Sequence, residues 1–254
     1  DESKVEQGRN FCNKIWNSYR LIKGWTVDKS IQQPESNVVA IKWFSQKLSQ
    51  TIEIVEDEYS KFRISDALMA IYKLYWDDYC SWYLELIKPE YGQGIDNDTY
   101  QATLRFFDSL LKMIHPVMPF ITEELWHDME ERGENETIMY ASSPVASNYD
   151  ASYIVAFEMA EEAINSIRGI RQEKGLSPKQ ALSLKIKGQF PSEMLTVISK
   201  LANISNIDCV DGFSDNMSGV SFMVRTVEMF VPLAGLVDTA EEIRKAEEAL
   251  EYQK

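Results

Sequence analysis

At 254 residues the chain is long for one domain and comfortable for two, and 44% of it is hydrophobic, enough to build real cores. Forty acidic against 26 basic residues give a net charge of -14, which excludes a general nucleic-acid binder: phosphate is repelled by such a surface, so any nucleic acid must meet a local basic patch. Cys12, Cys80 and Cys209 are odd in number and far apart, which excludes a disulfide framework or a zinc spacing, and no apolar run reaches the ~18 residues of a membrane span.

The first predicted helix covers residues 8 to 25. Phe11, Ile15, Trp16, Tyr19 and Ile22 recur at helical spacing and give it an apolar face. From Lys4 to Lys23 five Lys or Arg face one acid, Glu6, so this helix is cationic within an acidic chain. Asn13, Asn17 and Arg20 follow at i, i+4 and i+7 and share a face. Asn both donates and accepts, and Arg is a planar fork of donors, so the row suits reading base edges; the alternative is a solvated polar face.

Pro34, Glu35 and Ser36 announce a second helix with Ser36 as N-cap, its buried side running Val38, Ile41, Trp43, Phe44, Leu48, Ile52, Val55. A third runs from about Ser65 to Lys88 with an aromatic stripe read as core. Asp98 or Thr99 caps a fourth, which Pro116 and Pro119 interrupt before Ile121 to Met129 resumes with Thr122 as cap. A fifth long helix spans about Ala151 to Lys174. These helices predict an up-and-down bundle over 1–178. Beyond Gly175 the period changes to two: Leu182 to Lys187, Asn206 to Val210 and a hairpin turning near Arg225 and Thr226 read as strands, with a helix over 191–202. Hence the expected fold is mainly α, with a small α+β subdomain over 179–237 and the start of a C-terminal, coiled-coil-like helix over 238–254.

No autonomous catalytic site is expected. His115, before Pro116, reads as a capping or packed residue. Asp77–Asp78 and Glu123–Glu124 are sequence neighbours that point apart on a helix, and no phosphate-cradling glycine loop appears. No signal peptide is evident, and the chain starts at Asp1 and stops in mid-helix at Lys254, so it is expected to be a cytoplasmic piece of a longer protein.

Five segments together resemble the C-terminal part of valyl-tRNA synthetases: NFCNKIWNSYR, DDYCSWYLELIKP, LLKMIHPVMPFITEELWH, INSIRGIRQEKGLSPKQ and VPLAGLVDTAEEIRKAEEAL. The second and third are shared in form with the isoleucine and leucine enzymes. The last is more discriminating, and the cysteine zinc site that often ends the isoleucine enzyme is missing. The resemblance implies a class I anticodon-binding bundle, a linker subdomain and the start of a coiled coil. It implies binding of valine tRNA isoacceptors by a monomer, away from any membrane. Aminoacylation, with its ATP and magnesium, would belong to an upstream catalytic domain, and no cofactor is expected in this region.

The resemblance also makes Asn13, Lys14, Asn17 and Arg20 candidates for anticodon contact. Asn17 would bond a base edge, Arg20 a base or phosphate, and Lys14 a phosphate. Family members often carry Phe after the matching Arg; here Leu21 would give an apolar contact instead of an aromatic stack. Arg168 and Arg171, with Lys174, form a second basic strip that the resemblance puts near the tRNA stem. Its alternative is a solvated face paired with Glu161, Glu162 and Glu173. The competing function is an acidic protein-interaction module, or the same domain of an isoleucine or leucine enzyme.

Overall fold

The computed structural model describes residues 2–133, 135–213 and 218–233. They fall into two compact units divided between Ile154 and Val155. The first is wholly helical: α1 (Glu2–Lys23), α2 (Glu35–Ser60), α3 (Ile64–Lys73), a π-helical segment (Leu74–Tyr83), α4 (Leu84–Ile87), α5 (Asn97–Ile114), α6 (Pro119–Met129) and a 3-10 turn (Ile138–Tyr140). Phe11, Ile15, Tyr19 and Ile22 of α1, Trp43 and Phe44 of α2, and Phe107, Leu110 and Leu111 of α5 supply its core.

α1 begins at Glu2, six residues ahead of its expected start, and three later helix starts also differ from the sequence expectation, each for a local reason. At α2 the cap position is Pro34, without a side-chain bond, and Ser36 and Asn37 are buried inside the helix. Val38 is exposed, and Val39 and Ala40 take its place in the core. At α5 the cap is Asp96, whose carboxylate accepts from the Thr99 N–H at 2.8 Å, two or three residues ahead of the predicted cap. α6 starts at Pro119, which needs no N–H donor in the first turn; Thr122 lies within the helix and donates back to the Met118 carbonyl at 2.8 Å.

The aromatic stripe after α3 is core, but it does not follow α geometry throughout. Over Leu74–Tyr83 the wider i→i+5 winding brings residues four apart closer to register. Tyr75, Tyr79 and Tyr83 are all buried, and Tyr79 and Tyr83 stack at 5.5 Å with an interplanar angle of 16°. Burial raises all three phenols well above their ordinary value, so they stay protonated.

α7 (Ala151–Glu173) crosses the division, and the second unit continues with β1 (Leu182–Lys187), α8 (Ser192–Ala202), β2 (Ile204–Val210), β3 (Gly219–Val224) and β4 (Val227–Pro232). Its sheet has the order β2-β1-β4-β3. β1 and β2 pair in parallel across α8, and β3 and β4 form an antiparallel hairpin that turns at Arg225 and Thr226. Leu182, Leu184 and Ile186 alternate inward along β1. The change of period lies near 178, but the contacts divide the chain within α7. The reason is visible in hydrogen bonds: Arg171 reaches Ser177, Gln180, Ala202 and Asn203, and Arg225 reaches Glu158 and Glu162. The helix expected over 238–254 lies outside the described residues.

Candidate nucleic-acid interface

α1 is amphipathic in the strict sense. Ile15 and Ile22 are fully buried, and Ser18 and Tyr19 are nearly so. One residue on from each of these turns about 100° round the axis, and two residues on lies almost opposite. Asn13, Asn17 and Arg20 occupy that opposite face and are exposed. Among the described residues none of their side chains has a hydrogen-bond or ion-pair partner. The helix ends at Gly24, whose N–H closes on the Arg20 carbonyl at 3.1 Å.

Three other cations of α1, Arg9, Lys14 and Lys23, are engaged. Arg9 pairs with Glu6 at 2.9 Å. Lys14 is half-buried, its ammonium 5.2 Å from the centre of the Trp76 ring. Lys23 lies 2.6 Å from Asp128 of α6 and holds that carboxyl below its ordinary value. So of the four polar candidates, Asn13, Asn17 and Arg20 stand ready for an outside partner, whereas Lys14 must first leave its ring. Leu21 is half-buried, one turn on from Asn17.

Trp16 departs from expectation. Its spacing predicts the apolar face, yet 42% of it is exposed. One residue beyond Ile15, it falls at the edge of the polar face, beside Asn13 at i-3 and Arg20 at i+4. Spacing from Ile15 alone puts it about 100° from the buried face, whereas its aromatic character points to the core.

The chain leaving α1 is fixed against a second loop. Asp28 N–H donates to the Ile95 carbonyl and Ile95 N–H to the Thr26 carbonyl, both at 2.9 Å. Tyr91 on that loop is fully exposed.

The second basic strip is not one surface. Arg171 is only 6% exposed, and its guanidinium is consumed by four backbone carbonyls. Two of them, Ala202 and Asn203, belong to the C-terminal end of α8, where a cation offsets the unpaired carbonyls. Arg168 is exposed and donates to the Leu201 carbonyl of the same helix end at 3.3 Å. Arg171 lies four residues after Ile167 and seven after Ile164, both fully buried, so its place on the inner face was readable.

His115 closes α5, its Nδ1 2.7 Å from the Thr122 hydroxyl. Among the described residues no group of three or more His, Cys, Asp or Glu is placed to hold a metal ion. No described helix is long and apolar enough to cross a membrane.

A family model described as the anticodon-binding domain of tRNA ligase matches residues 41–186, more than half of the chain. The chain belongs to this family. The chain is 50% identical over 254 residues to the valine–tRNA ligase of Parabacteroides distasonis, covering all of this chain and 29% of that protein. It is 46% identical to the valine–tRNA ligase of Bacteroides thetaiotaomicron, again over all of this chain and 29% of the relative. The valine–tRNA ligase of Fusobacterium nucleatum is 31% identical over 96% of this chain and 29% of its own length. The chain thus spans less than a third of the curated relatives it matches. α1 precedes the span of the anticodon-binding family model but lies within the stretch shared with the first two relatives.

Proposed function

We propose that this chain reads the anticodon loop of valine tRNA as the C-terminal region of a valine–tRNA ligase. One observation carries the reading: Asn13, Asn17 and Arg20 are exposed on one face of a helix whose other face is locked in the core, and none has an internal partner among the described residues. Fixed, unpaired donors and acceptors suit the splayed bases of a single-stranded loop. Asn17 bonds a base edge, Arg20 a base edge or phosphate, and Asn13 extends the row. Lys14 serves a phosphate after leaving Trp76, and Leu21 supplies an apolar edge. Valine as the amino acid rests on the relatives, each a valine–tRNA ligase. Attachment of valine, with ATP and magnesium, is assigned to the part of the relatives outside the 29% that they share with this chain. One copy in the cytoplasm per tRNA is the arrangement the family resemblance implies.

The test is a salt titration of this chain against two labelled valine tRNAs, one unaltered and one substituted at the central and third anticodon positions. Tighter, salt-sensitive binding of the unaltered tRNA is expected, with a log–log slope of roughly -0.7 for each single-stranded phosphate neutralised. Equal binding of both would leave a backbone-holding role and defeat base reading. Salt-insensitive binding would point to helix pairing with a protein.

A further inference from the structure

On the strength of the anticodon-reading function proposed above, we infer that Trp16 is a base-stacking residue. Its indole takes the face of an unstacked loop base while Asn13, Asn17 and Arg20 engage edges and phosphate beside it.

Three observations converge. The first is position. Trp16 is 42% exposed within a row of polar side chains, with Asn13 three residues before it, Asn17 next to it and Arg20 four after it. A large exposed ring at a protein-docking surface is normally part of a contiguous apolar patch. Here the neighbouring exposed side chains of α1 are Asn, Arg and Lys, which is the chemistry of a nucleic-acid groove with an aromatic platform in it.

The second is the state of the ring. Among the described residues Trp16 has no ring partner, no cation over its face and no acceptor for its indole N–H. Other tryptophans of this unit are committed. Trp43 packs on Phe44, Trp76 lies between Tyr72 and Lys14, and Trp126 donates to Asp108 and sits under Arg132. A buried indole normally finds an acceptor, and one left unpaired at a wet surface is open to a ligand.

The third is rigidity. Trp16 follows directly on Ile15, which is fully buried, and precedes Ser18 and Tyr19, which are anchored in the core. Its backbone therefore cannot swing, and the point from which the ring projects is set in advance, which reduces the ordering cost of binding. Stacking needs no particular base, because every base has a π-face, so Trp16 adds affinity and orientation and leaves discrimination to the Asn row.

The test uses the whole chain and a valine-tRNA anticodon stem–loop carrying 2-aminopurine at each unpaired position in turn. Trp16→Ala, Trp16→Leu and Trp16→Phe are compared with the unsubstituted chain. One loop position is expected to be quenched on binding the unsubstituted chain and to regain emission with Trp16→Ala. Affinity should fall about ten-fold or more for Ala and Leu and less for Phe. The salt slope should not change, since an indole neutralises no phosphate. Because Trp16 is 42% exposed and lies at the edge of the polar face, circular dichroism and melting should show all three variants folded. Unchanged affinity and quenching in Trp16→Ala would overturn the inference, and so would full retention of affinity by Trp16→Leu, which keeps bulk and loses the ring. Salt-sensitive binding by the unsubstituted chain with an indifferent Trp16 defeats only this inference. Absence of such binding defeats the anticodon-reading function as well.

Discussion

The hydroxyls of Ser18 and Tyr75 lie 2.5 Å apart in the interior and join α1 to the π-helical segment. Ser18 also donates to the Ile15 carbonyl at 2.9 Å, so its single proton is used and the bond to Tyr75 runs from phenol to serine. Burial keeps the phenol protonated, which agrees with that direction. The bond sits behind the exposed Asn13, Asn17 and Arg20 and fixes the rotation of α1. Removing each partner alone has unequal cost. Ser18→Ala leaves a buried phenol without an acceptor and should destabilise by about 1–3 kcal/mol. Tyr75→Phe leaves Ser18 satisfied through Ile15 and should cost about 1 kcal/mol. In a double-mutant cycle followed by urea unfolding, Ser18→Ala should cost less in the Tyr75→Phe background than alone. Strict additivity would show that the two hydroxyls do not interact.

Why the sequence revealed some of this and concealed the rest follows from what periodicity reports. The apolar spacing of α1 and the alternation of β1 identify elements because burial itself is periodic. Caps are less legible: at α2 and α5 several polar residues cluster, and which of them caps depends on loops that pack later. The π winding of Leu74–Tyr83 leaves an aromatic pattern that α geometry also accommodates. Side-chain commitments were the hardest to read. Lys14, Lys23 and Arg20 look alike in sequence, yet Trp76 and Asp128, both far along the chain, occupy the first two and leave the third open. Arg171 was readable by its place on the Ile164–Ile167 face, but its positive charge argued for solvent.

Gly94 holds the loop beside the end of α1. A Cβ there would come within 2.9 Å of the Thr26 carbonyl oxygen and 3.1 Å of the Asp28 Cβ. These are backbone and near-backbone atoms, so they cannot yield without opening the Val27–Ile95 bridge. Gly94→Ala should therefore destabilise the chain by about 1–3 kcal/mol, the usual range for overpacking. Hydrogen exchange should accelerate at the Asp28 and Ile95 amides, which make the paired bonds. Unaltered exchange there would show that the loop accommodates the methyl group.

The Lys23–Asp128 pair sets a pH dependence with a definite sign. The hydrogen bond from Lys23 lowers the Asp128 pKa from its ordinary 3.8. A depressed carboxylate stabilises the folded state above its unfolded value, and that contribution is lost as pH falls through the folded value. Both side chains are about half exposed, so the pair contributes at most about 1 kcal/mol and less in high salt. An NMR titration should find Asp128 below the ordinary value and returning towards it in Lys23→Met. RNA binding supplies the second readout. Asp128→Asn frees Lys23 one turn from Arg20 and removes a negative charge, so affinity for the anticodon stem–loop should rise at neutral pH. The magnitude of the salt slope should grow by about 0.7 if the freed ammonium meets one phosphate. Weaker binding in Asp128→Asn would place this end of α1 outside the RNA contact.

Arg171 separates structural from RNA-binding cations. Its Nη1 donates to Ser177 and Gln180 at 3.0 and 2.7 Å, and its Nη2 to Ala202 and Asn203 at 2.8 and 3.1 Å. Asn203 ends α8 in the left-handed conformation, with φ 51°, which turns carbonyls of that helix end towards the guanidinium. Burial lowers the Arg171 pKa, yet an arginine stays charged, so the desolvation is offset through the four bonds. Arg171→Ala removes the donor from one buried and three part-buried carbonyls and should cost on the order of 3 kcal/mol in denaturant unfolding. Arg171→Lys should recover only part of this, because a single ammonium cannot span two pairs of acceptors as a planar fork does. In conditions where Arg171→Ala remains folded, its salt slope for RNA should match that of the unsubstituted chain, whereas Arg20→Ala should reduce the slope by about 0.7. A reduced slope in Arg171→Ala would return this residue to the tRNA surface and show that the α8 clamp opens on binding.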